Sequence, residues 1–130
     1  MNDLSLRSPV ARARDLSGLI IAEADAIERN RRLTEPVLEA LHEARLFRLL
    51  YPRSVGGDEV EPAVYIDAVA ELARADGSVG WCTSIANSIG LFAPYLDLRR
   101  RARCSPILAR PAPGGRRTSA GGSRLQAATG

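Results

Sequence analysis

The chain has 130 residues and a net charge of +3, with two cysteines, one histidine and six aromatic side chains. Those counts exclude a disulfide framework and a Cys/His zinc site, and a core this poor in aromatics must rest on Leu, Ile, Val and Ala, which suits packed helices better than a β-sandwich. All fifteen carboxylates lie at or before Asp97, against ten arginines there, so residues 1–97 carry −5 and residues 98–130, with eight arginines, carry +8.

The first fifteen residues, MNDLSLRSPVARARD, lack the apolar run of a signal peptide, and with so little cysteine a reducing cytoplasm is the expected location. Ser8-Pro9 predicts a helix start, a hydroxyl cap followed by proline at the first helical position. Ala13, Leu16, Ile20, Ala24 and Ile27 then form one apolar stripe with Asp15, Glu23 and Arg29 off it, and the helix should end near Asn30–Arg32. Thr34-Glu35-Pro36 predicts a second start, with Val37, Leu38, Leu41 and Ala44 facing inward and His42 at the edge of that face. Residues 46–50, LFRLL, read as a short buried connector stopped by Pro52, and residues 55–58, VGGD, as a turn.

Pro62 opens a third predicted helix with Ile66, Val69, Ala70 and Ala73 on its stripe and Leu72 beside it. Gly77 is expected to stop it, and Ser78 to cap a fourth helix running to about Tyr95. Residues 77–96 hold no charge and have the length of a bilayer span, but serines, threonine, asparagine, glycines and Pro94 lower their hydropathy. They read as a helix buried on most sides, with no membrane association. The expected fold is all-α: an up-and-down bundle lobe of about four helices over residues 8–97. Residues 98–130 are mostly Arg, Ala, Gly, Pro and Ser with four scattered large aliphatics, so a disordered tail is expected there.

The residues alone define no reaction. One histidine at a helix edge permits no Ser/His/Asp arrangement, and Glu35, Glu39 and Glu43 share a face that reads as solvated. No catalytic, cofactor-binding or metal residue is assigned. Two runs carry more information together than apart: LFRLLYP at residues 46–52 followed by VGG at 55–57, and AELARADGSVGW at residues 70–81. In order and spacing, residues 10–97 resemble the N-terminal helical domain of the acyl-CoA dehydrogenase superfamily. The GSVGW form at residues 77–81 is similar to the branch that includes flavin-dependent aromatic and steroid hydroxylases. Members of that branch often carry a histidine in the buried helix, where residues 87–90 here hold Asn, Ser, Ile and Gly.

The resemblance implies an FAD-dependent oxidoreductase, either a dehydrogenase acting on CH–CH groups of an acyl-CoA or a flavin-dependent monooxygenase acting on another small molecule, built as a homo-oligomer. In that family FAD lies mainly between a central β-domain, a C-terminal helical domain and the next subunit, while the first domain supplies scaffold and one wall of the substrate pocket. The wall residues it implies here are Trp81, Ser84 and Asn87. A family member continues past residue 97 into the β-domain. The arginine-rich composition found instead is what a GC-rich gene yields out of frame, so the chain reads as truncated or frameshifted after about residue 97 and inactive alone. Two other readings stand beside it: a non-catalytic helical interaction module, and a non-specific polyanion binder acting through Arg99, Arg100, Arg101, Arg103, Arg116 and Arg117, with no specific nucleic acid because the tail has no aromatic to stack a base.

Overall fold

The computed structural model describes residues 7–92 and 95. The expected disorder of residues 98–130 lies outside them. The described residues form five α-helices and no strand: α1 (Pro9–Asp15), α2 (Ser17–Asn30), α3 (Glu35–Glu43), α4 (Pro62–Ala75) and α5 (Gly77–Gly90), with short 3-10 turns at Leu46–Arg48 and Arg53–Val55. Helix α4 is the hub, packing against α1, α2 and α5, while the Leu46–Arg48 turn is held between α3 and α5. The core is aliphatic, with Ile20, Ile27, Leu41, Leu46, Leu49 and Leu72 fully or almost fully enclosed and Phe47 among them.

The predicted first helix is two. Ser8 caps α1 as expected, accepting from Ala11 N–H at 3.2 Å. The helix then breaks at Leu16, whose N–H bonds Ala13 O at 3.2 Å while Ser17 Oγ donates to Arg14 O at 2.8 Å. That local serine bond competes with the α-helical ladder and Gly18 follows it, so the axis resets at one residue without losing the apolar stripe. Helix α2 ends at Asn30 with Arg31 in the left-handed region.

Helix α4 turns a different face inward from the one its spacing suggested. Ala68 and Leu72 are fully buried, Val69 and Ala70 are half-buried, and Ile66 and Ala73 are exposed. Both stripes are apolar because α4 is packed on two sides, so periodicity alone cannot fix the phase. The α4–α5 junction also differs: Asp76 ends one helix and caps the next, its carboxylate accepting from Ser78 N–H at 2.8 Å and Val79 N–H at 3.1 Å. Gly77 is thus the first residue of α5 rather than a stop, and Ser78 is inside the helix. A carboxylate at this position also suits the positive end of the helix dipole.

The connector and the Gly-Gly turn behave as read. Leu46, Phe47, Arg48 and Leu49 are buried, and Gly56 sits at φ +81°, where a side chain would be strained. Glu35, Glu39 and Glu43 are exposed, and His42 meets Phe47 edge to face with ring centroids 4.9 Å apart.

Candidate functional site: the two faces of α5

Helix α5 presents one face to the core and another to the outside. On the inner face are Val79, Gly80, Thr83, Ala86, Asn87 and Gly90. Small residues allow close approach: a Cβ on Gly80 would lie 2.6 Å from Ala73 Cβ, and one on Gly90 would enter the Tyr51 ring at 1.4 Å. Tyr51 lies flush against the helix, and its hydroxyl donates to Ala86 O at 3.2 Å. Burial in this position pushes its phenol pKa up.

Asn87 is the polar centre of that face. Its Oδ1 accepts from Leu49 N–H at 2.8 Å and Leu50 N–H at 3.2 Å, and its Nδ2 donates to Leu46 O at 2.8 Å and Thr83 O at 2.9 Å. One amide thereby uses its full hydrogen-bonding capacity and satisfies backbone groups of a buried non-helical segment that would otherwise be unpaired. A neighbouring hydroxyl is less well served: Thr83 Oγ1 is buried and has no partner among the described residues.

The outer face is apolar and open. Trp81 is 68% exposed, and Ile85, Ile89 and Phe92 follow it at spacings of four, four and three, all exposed. The expected burial on most sides therefore holds for one side only. The helix also stops short of Tyr95, at Gly90, with Phe92 N–H closing a turn onto Ile89 O. Ser84 lies between the faces, its Oγ 2.9 Å from the Tyr65 hydroxyl, and Ser88 Oγ donates to Ser84 O at 3.0 Å. Cys82 is on the outer side, where partial burial and Asp76 push its thiol pKa up, the reverse of what a nucleophile needs.

The three implied wall residues thus have different surroundings. Trp81 is free to meet a ligand or another surface, Ser84 is reachable but already paired, and Asn87 faces the core with every polar atom engaged. A cleft of about 640 Å³ between the end of α2 and the start of α5 is lined by Ile27, Arg29, Arg32, Leu33, Ser78 and Cys82 among others, and by none of the three. For a flavin, the outer face offers an apolar wall and no cradle. The two serine hydroxyls beside it, Ser84 and Ser88, are both engaged within the fold, so no described residue there is shown ready to hold the ring's polar edge.

This arrangement is found in a chain with clear relatives. Residues 11–98 match the family described as acyl-CoA dehydrogenase, N-terminal domain. The chain belongs to the acyl-CoA dehydrogenase superfamily. It is 40% identical over 62 residues to the oxygenase subunit HsaA of a flavin-dependent monooxygenase from Rhodococcus jostii, a stretch covering 48% of this chain and 16% of that protein. The Mycobacterium tuberculosis HsaA gives the same identity and coverage. An indole-3-acetate monooxygenase from Pseudomonas putida is 31% identical over 67 residues, 52% of this chain and 17% of that protein. The matched stretch is thus about a sixth of the length of these relatives. Among the described residues no helix is long and apolar enough to cross a membrane.

Proposed function

We propose that this chain is the N-terminal helical part of a flavin-dependent monooxygenase-type oxidoreductase, and that the outer face of α5 is a wall of its small-molecule pocket. The observation that carries this is the stripe Trp81–Ile85–Ile89–Phe92, apolar and exposed, which starts at the tryptophan of the GSVGW run and follows α5 into the turn beyond it. An apolar stripe with an aromatic at its head suits a hydrophobic or aromatic substrate. The names of the relatives, all flavin-dependent or other monooxygenases, favour oxygenation over dehydrogenation. Flavin, FAD by the family's habit, would supply the redox chemistry when bound. The residues here would position substrate and exclude water, and no proton-transferring role falls to any of them. Activity then requires parts of the protein that the relatives have outside the matched sixth.

The reading is tested by replacing the segment of the Rhodococcus jostii oxygenase subunit that aligns with residues 11–98, the family-matched span, by those residues of this chain. The chimera should oxygenate the host's substrate when supplied with reduced flavin, and this chain alone should not retain flavin stoichiometrically. A tightly held yellow flavin on the isolated chain, or a folded chimera without activity, contradicts it.

A further inference from the structure

A second region, where the start of α1 meets the Gly-Gly turn, concentrates positive charge around a cleft. Asp58, just after the Gly-Gly turn, is shared by two arginines: Arg12 Nη2 donates to Oδ2 at 3.0 Å, and Arg45 Nε and Nη2 donate to Oδ1 at 2.9 and 2.7 Å. Arg12 is only 4% exposed, with Nη1 bonded to Ala44 O at 2.8 Å and a buried Nε that has no partner among the described residues. Arg45 also donates to Gly56 O at 2.9 Å. One carboxylate is therefore shared by two guanidiniums that are mostly withdrawn from water, which leaves one positive charge unanswered between them. An excess of like charge in a part-buried site is costly unless an anion answers it.

The geometry beside this cluster provides the space. A cleft of about 340 Å³ is lined by Arg7, Pro9, Arg12, Arg45, Arg53, Gly57, Asp58 and Val60. Arg7 pairs with Asp15. The Arg53 guanidinium has no ion pair among those described, its backbone N–H alone bonding Glu59 Oε2 at 3.2 Å. The four guanidiniums that line the cleft, Arg7, Arg12, Arg45 and Arg53, are paired with two carboxylates, Asp15 and Asp58, so positive charge is left over for an anion, and planar forked donors suit tetrahedral oxygens. We propose that this cleft is a binding site for a phosphate group, either free phosphate or the phosphate of a small ester. Arg53 closes on it from the rim, and the Arg12–Asp58–Arg45 cluster forms its floor. The site is independent of the outer face of α5 and does not rest on the oxygenase reading.

The test is titration of the full chain with inorganic phosphate and, separately, with phenyl phosphate, each against sodium chloride at equal ionic strength. Saturable binding at one equivalent is expected. Arg53→Ala should weaken it about tenfold, the scale of one charge-assisted hydrogen bond, while the folded state persists because that side chain is exposed. Arg29→Ala, an exposed arginine on another cleft, should leave binding unchanged. Tighter binding of phenyl phosphate assigns the site to an ester, and equal binding assigns it to the free ion; both uphold the proposal. Absence of saturable binding, or equal losses in the Arg53 and Arg29 variants, overturns it.

Discussion

The inner and outer faces of α5 are equally free of charge yet answer different demands. The inner face is built of small residues and one fully bonded amide, so that Tyr51 and the Leu46–Leu50 connector can lie against the helix backbone. The outer face carries Trp81, Ile85, Ile89 and Phe92 with nothing of the described chain over them. An uncharged helix is therefore no guarantee of burial by its own domain. What distinguishes the two sides is residue size: small where partners are present, large where they are not.

The comparison breaks most easily at Asn87. Asn87→Ala strands two connector N–H groups and a carbonyl in the core, and should cost on the order of 4 kcal/mol in urea unfolding. A loss under about 1 kcal/mol would mean that the connector does not depend on the inner face. Thr83→Val sharpens the same side with the opposite sign. It removes a buried hydroxyl without a partner at nearly constant shape, and should raise stability by about 1 kcal/mol. On the outer side, Trp81→Ser should change stability by less than about 0.5 kcal/mol, because the side chain is already exposed, while reducing self-association in sedimentation.

Acid sensitivity should belong to neither face. On α4, Glu71 accepts from Arg14 of α1 at 3.0 Å and from Arg74 at 2.6 Å, and these bonds, Arg14's first, hold its pKa below the ordinary glutamate value. A depressed folded pKa means that this contribution is complete above the ordinary value of about 4.3. It fades as the pH falls through the lower folded value. Glu71→Gln should flatten the stability profile in that window and leave the neutral-pH effects of the α5 variants unchanged. An unaltered acid limb would place the titrating group elsewhere.

Much of the scaffold was legible because its signals are local. Ser8-Pro9, the Ala13–Ile20–Ile27 stripe, the buried LFRLL run and the glycine at positive φ each follow from neighbours in sequence. The misplaced features depend on choices that local pattern leaves open. The phase of α4 was ambiguous because it packs on two sides, and Asp76 outcompeted Ser78 as a cap because it also had to end α4. The site was less legible. Trp81 could be singled out from the family-like run, but the inward role of Asn87 depends on backbone groups about forty residues away. The arginine cluster was missed for a similar reason: Arg12 and Asp58 are 46 residues apart. The available hint was an arginine beside Ala13 on the edge of an apolar stripe and a carboxylate after a Gly-Gly turn.

The central claim is that the outer face of α5 meets the substrate of a complete oxygenase, and it is tested most directly in the chimera carrying residues 11–98. Steady-state oxygenation would be compared for Trp81→Ala and for Ile21→Ala, which removes a similarly exposed side chain from α2. The account predicts a raised KM, about tenfold, for Trp81→Ala and an unchanged KM for Ile21→Ala, with both chimeras folded. Equal kinetics in the two variants would contradict it.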